Sequence, residues 1–232
     1  MNSHAAPGPL LYGGTFDPIH EGHLTVARTV AQASGQPVHL MPAALPPHRA
    51  APGASDQQRL AMLRLAIGTE SQLRVDDREL QRNGPSFTVL TLRECVAAGQ
   101  RPVLILGWDA FCGLPGWREP EAIMMLAILI VVPRPEPRPE PRPDLKWHAN
   151  SSTASPVTEV PSTLQSNWHK RQELSPATLA TARAGDVLFC PMPEQPISAT
   201  AIRLAIAAGE RPLAGLPRVV AAYIDEQKLY ES

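Results

Sequence analysis

The sequence predicts an α/β fold, a mostly parallel sheet with helices on both faces. Short apolar runs alternate with helix-period segments along most of the 232 residues, the pattern of strands returning through crossover helices. The first such junction, after Tyr12, is a glycine turn that passes into a segment with helical spacing.

Residues 10–12 form a short apolar run bounded by glycine, which suits a buried strand, and Leu24, Ala27, Val30 and Ala31 then recur at helical spacing. Gly13 and Gly14 let the backbone turn tightly and approach a ligand closely. A helix starting near His20 would aim its unpaired N–H groups at the same place, favouring an anion. His20 and His23 share a face of that first turn, and each can donate to a phosphate oxygen.

Gly35 stops the helix, and residues 38–41 read as a second strand. The proline-rich segment through His48 and Arg49 excludes regular structure and predicts a loop at the strand's carboxyl edge, where open α/β sheets bind ligands. Ser55 and Gln58 form a capping-box pattern for a helix with Leu60, Leu63 and Ile67 inward and Gly68 at its end. Residues 73–75 are a strand, and 76–85 are polar. Ser86 is placed to cap a third helix with Val89, Leu92 and Val96 inward, ending at Gly99.

Residues 103–106 are the next buried strand, ending in Gly107 and Asp109, again at a carboxyl edge. Asp109 suits either a helix cap or a ribose contact. Trp117 follows a proline-glycine turn, as a core residue or a platform for stacking a ring. A short helix over 119–126 leads into a strand over 128–132. Three tandem Pro-Arg-Pro-acid units over 133–144 predict a polyproline-II spacer. The Ser/Thr/Pro-rich stretch to residue 183 carries no readable periodicity, so 133–183 is treated as an excursion within one domain spanning 1–232. Residues 186–190 read as the last strand. Ser198 then caps a helix with Ile202, Ala205 and Ile206 inward, and Pro217 opens a final helix through Val220 and Ile224.

The formal charge of −1 argues against a broad nucleic-acid or membrane surface, so any anion site must be local. Three cysteines without Cys-x-x-Cys spacing indicate neither a disulfide framework nor a zinc site, which fits a reducing cytosol. The longest apolar run, 122–132, has 11 residues, against roughly 20 needed to span a bilayer. A soluble, cytoplasmic protein is expected, with self-association left open. The absence of G-x-G-x-x-G and G-x-x-x-x-G-K-[ST] removes two common nucleotide-binding turns.

The stretch Gly13-Gly14-Thr15-Phe16-Asp17-Pro18-Ile19-His20-Glu21-Gly22-His23 resembles the nucleotidyltransferase signature G-x-F-D-x-x-H-x-G-H. With Pro46-Pro47-His48-Arg49, Asp77-Arg78-Glu79-Leu80, Gly84-Pro85-Ser86-Phe87-Thr88, Leu106-Gly107-Trp108-Asp109, Trp117, Val132-Pro133-Arg134-Pro135 and Ile197-Ser198-Ala199-Thr200-Ala201-Ile202-Arg203, nearly the whole chain is similar to the bacterial nicotinate-nucleotide adenylyltransferase family. The resemblance implies a Rossmann-like fold and transfer of AMP from ATP to nicotinate mononucleotide, giving deamido-NAD and pyrophosphate. It implies an ATP site at Gly13, Gly14, Thr15, Phe16, His20, His23, Gly107, Asp109, Ser198, Thr200 and Arg203, with His20, His23 and Arg203 catalytic. The acceptor would meet Arg49, Thr88 and Trp117, and Mg2+ would arrive with ATP rather than on a protein-held metal site. Ala43, Ala44 and Ala110 stand where relatives often carry Asn or Ser, which removes side-chain hydrogen bonds near the ligands. Neighbouring readings are an adenylyltransferase for nicotinamide mononucleotide or phosphopantetheine, and a non-catalytic nucleotide-binding scaffold.

Overall fold

The computed structural model describes residues 8–44, 52–82, 84–132, 160–192, 197–211 and 214–231. The polyproline tract, His48 and Arg49 lie outside these. Seven strands form one sheet: β1 (Leu10–Gly14), β2 (Val38–Pro42), β3 (Leu73–Val75), β4 (Val103–Gly107), β5 (Ile128–Val132), β6 (Gln172–Glu173) and β7 (Val187–Phe189). Their order is β3-β2-β1-β4-β5-β7-β6, and all six pairings are parallel.

Both faces are covered because successive side chains point opposite ways. Leu10, Val103, Ile105, Ile128 and Ile130 enter the core on one face. Leu11, Leu104, Leu106, Leu129 and Val131 enter the core on the other. On the first face lie α1 (Glu21–Ser34), α2 (Asp56–Ile67), α8 (Pro176–Thr181), α9 (Ala199–Ala207) and α10 (Arg218–Glu226). The second is covered by α4 (Thr88–Ala97), α5 (Trp108–Gly113), α6 (Pro120–Leu126) and α7 (Ser162–His169). The short α3 (Arg78–Gln81) follows β3.

Most elements lie where the residue pattern places them. Gly35 closes α1 in the left-handed region at φ 69°. Ser55 and Gln58 make the reciprocal bonds of a capping box. Three expectations are corrected. Phe87, not Ser86, stands at the start of α4, because the Ser86 hydroxyl is occupied in accepting from Ala44 N at 2.9 Å. Val96 is 42% exposed, and Cys95 fills the inward position instead. The stretch expected to be unreadable to residue 183 contains α7, β6 and α8, with Ser175 and Thr178 forming a second capping box.

The chain leaves β1 toward β3 and returns to β4 on the other side of β1, so β1 and β4 flank the point where strand order reverses. Their pairing is confined to Leu10↔Val103 and Leu11↔Leu104. Beyond that the two carboxyl ends diverge, and a crevice opens where ligands bind in such sheets.

Candidate functional site

That crevice holds a cavity of about 380 Å³. Gly13, Gly14, Thr88, Asp109 and Trp117 line it, so five residues read from the sequence as ligand contacts converge there. Its floor is Leu104, Ile105 and Leu106 of β4. Trp117 follows a 3-10 turn at Leu114–Gly116 and is half-buried, packed against the second core at the cavity wall. Gly107 precedes α5 and is absent from the lining, while Asp109 sits in that helix's first turn.

The histidines form a second group beside the cavity. His20 ends the signature turn in extended backbone, and its carbonyl accepts from His23 N and Leu24 N at 2.9 and 3.2 Å. The two rings stack with centroids 3.7 Å apart. Phe16 is 1% exposed and backs the His23 ring edge-on at 5.0 Å. Only the backbone of Phe16 is therefore positioned to meet a ligand. Burial lowers the His20 pKa from 6.5 to about 4. The ring is neutral at pH 7, and its buried Nδ1 has no hydrogen-bond partner among the described residues.

The turn itself departs from the reason expected for its glycines. Phe16, not a glycine, takes the left-handed conformation at φ 50°, next to a cis Asp17–Pro18 bond. Gly14 is required because a Cβ there would lie 2.8 Å from the Phe16 ring.

Distant segments hold this turn. The Asp17 carboxylate, 5% exposed, accepts from Gly53 N at 2.8 Å, Ala54 N at 3.0 Å and the Tyr230 hydroxyl at 2.7 Å. Burial first, then that bond to Asp17, raises the Tyr230 pKa, so the phenol stays a donor. Arg203 of α9 donates to the Asp17 carbonyl at 2.7 Å and lies 3.7 Å from its carboxylate. Thr200 Oγ1 is 3.5 Å from the same guanidinium, and Ser198 caps α9 by accepting from Ala201 N at 3.2 Å. Thus the two ends of the family motif set meet across the fold.

Arg59 was missed by sequence reasoning. It is fully buried, donating to Thr15 O at 2.7 Å, Ala43 O at 2.7 Å and Asp56 Oδ1 at 2.6 Å. It fastens the turn after β1 to the loop after β2, and so sets the cavity's near wall. The adjoining Asp76 and Arg78 work similarly at α3. Burial raises the Asp76 pKa, but His39, whose Nδ1 lies 3.8 Å away, and hydrogen bonds from Arg78 outweigh it and hold the carboxyl well below the usual range. That pairing fixes the helix carrying Glu79 to the cavity. Arg49 lies outside the described residues. The three cysteines are buried and none is in a disulfide.

Among the described residues no group of three His, Cys, Asp or Glu could hold a metal ion, and no helix is long and apolar enough to cross a membrane.

The profile of the cytidylyltransferase-like family matches residues 11–205. A probable nicotinate-nucleotide adenylyltransferase of Pseudomonas putida (strain GB-1) is 37% identical over 226 residues, covering 96% of this chain and 94% of that protein. One from Stenotrophomonas maltophilia (strain K279a) is 39% identical over 231 residues, covering 96% of each. Plasmodium falciparum nicotinic acid mononucleotide adenylyltransferase complexed with NaAD superposes with a TM-score of 0.66 over 97% of this chain and 98% of that one, at 14% identity, and so shares its fold. The crevice, the paired histidines and these similarities agree, and the chain belongs to the cytidylyltransferase-like family and, within it, to the nicotinate-nucleotide adenylyltransferases.

Proposed function

We propose that the protein transfers AMP from ATP to nicotinate mononucleotide, with the ATP phosphates at the signature turn and the acceptor in the cavity at Thr88 and Trp117. The observation that carries this reading is the adjacency of the two groups. A neutral, buried His20 stacked on His23 stands at the start of α1, and the turn before it, Gly13 and Gly14, lines the cavity. Anionic phosphate is favoured at that helix start, and a second ligand in the cavity would lie against the same turn.

In the proposed reaction a phosphate oxygen of the mononucleotide attacks the α-phosphorus of ATP. The bond from that phosphorus to the bridging oxygen of the β-phosphate breaks, and its electron pair leaves with pyrophosphate. The attacking phosphate is already ionised at neutral pH, so no side-chain base is needed. The protein's part is alignment and stabilisation of the charge that builds on the phosphoryl oxygens. The two imidazoles would donate N–H bonds to those oxygens, and Arg203, Ser198 and Thr200 would approach from α9. Asp109 would face the ribose and Trp117 the pyridine ring. Mg2+ would be carried by the triphosphate and would neutralise the departing pyrophosphate.

Pyrophosphate release with ATP and each of nicotinate mononucleotide, nicotinamide mononucleotide and phosphopantetheine tests the reading. The highest kcat/KM is expected for nicotinate mononucleotide. Preference for phosphopantetheine would sink the assignment.

A further inference from the structure

The charged lining of the cavity is unbalanced. Among the described lining residues Glu79 and Asp109 are acidic, and Arg118 is the only base. Glu79 is buried, its carboxylate accepting from Thr91 Oγ1 at 2.7 Å. An acceptor bearing an additional negative charge enters against these fixed carboxylates unless a cation meets it.

Arg118 is built for that task. It directly follows Trp117, and its guanidinium carbon lies 4.5 Å from the centroid of the Phe87 ring. Phe87 and Thr88 line the same cavity. The stack restrains a side chain that would otherwise sweep through solvent, which reduces the entropy lost when it grips a ligand. Its own counter-ion is weak: Glu119 lies 3.7 Å from Nε and is already engaged by both terminal nitrogens of Arg93, at 3.2 and 2.5 Å. Much of the Arg118 charge is therefore available to a ligand.

A ring carboxylate and a ring carboxamide have nearly the same shape and differ in charge. Trp117 stacking cannot separate them, whereas a guanidinium forms an ion pair with two parallel N–H···O bonds only with the carboxylate. We infer that Arg118, steadied on Phe87, is a specificity-determining residue that selects an acceptor carrying a carboxylate on its pyridine ring over one carrying the uncharged amide. The inference rests on the function proposed above and assigns its acceptor preference to one side chain.

The test is kcat/KM for nicotinate and for nicotinamide mononucleotide at saturating ATP in the wild type, Arg118→Gln and Arg118→Lys. Arg118→Gln is expected to lose about tenfold on the nicotinate acceptor, mostly through KM, with the nicotinamide acceptor changing by less than about twofold. Arg118→Lys keeps the charge without the planar stack and should fall between. The Arg118 side chain is 53% exposed, so melting temperatures should agree, separating specificity from folding. An unchanged ratio of the two acceptors, or an equal loss on both, overturns the inference while leaving the proposed function standing. A wild type that adenylates neither acceptor overturns both.

Discussion

His20 and Arg59 show two ways a single side chain serves this site. His20 is neutral because burial penalises its charged form, and its pKa falls from 6.5 to about 4. Between those values the unfolded chain binds a proton that the folded chain does not, so stability falls as pH drops through that window. The loss should reach about 3 kcal/mol by pH 4, and His20→Gln should flatten that part of the curve in chemical denaturation measured from pH 7 to pH 4. An equal slope in the variant would assign the acid sensitivity elsewhere. Arg59 holds carbonyls of two loops with one buried guanidinium. Arg59→Met leaves those carbonyls unpaired and should cost about 3 kcal/mol, with a fall in kcat as the turn loosens; an unaltered denaturation midpoint would contradict this. The histidines were legible because a dense local motif surrounds them. Arg59 was not, since a charged residue on an amphipathic helix reads as solvated until the fold brings Thr15, 44 residues away, against it.

At the level of elements, the strands were readable because a buried parallel strand is a short apolar run, and the caps because Ser55, Ser198 and the C-terminal glycines have specific backbone tasks. The segment from α7 to α8 was not readable. Its helices have 8 and 6 residues, too short for a firm period, and its place depends on Trp168 packing against Trp108 and Phe111 of α5 at 5.1 and 5.5 Å. That packing braces the helix bearing Asp109. Ser198 gives the sharpest test at this scale. Ser198→Ala removes the bond from Ala201 N and should cost about 1 kcal/mol, with a larger relative effect on ATP turnover, because the first turns of α9 carry Thr200 and Arg203. Loss of stability without loss of turnover would detach the cap from the site.

Across the whole molecule, the site is a consequence of strand order. Reversal at β1 and β4 opens the crevice, and Asp17 gathers the loop before α2, helix α9 and the C-terminal Tyr230 around the signature turn. Tyr230 lies 213 residues from Asp17, a pairing no local pattern announces. In the proposed reaction AMP, not a terminal phosphate, moves to a pyridine mononucleotide. Incubation with nicotinate mononucleotide and ATP labelled in turn at the α- and γ-phosphorus tests it directly. AMP transfer puts α-label in a dinucleotide that co-migrates with deamido-NAD and γ-label in pyrophosphate; γ-label in the mononucleotide acceptor, or α-label remaining in ATP while the acceptor persists, would rule it out.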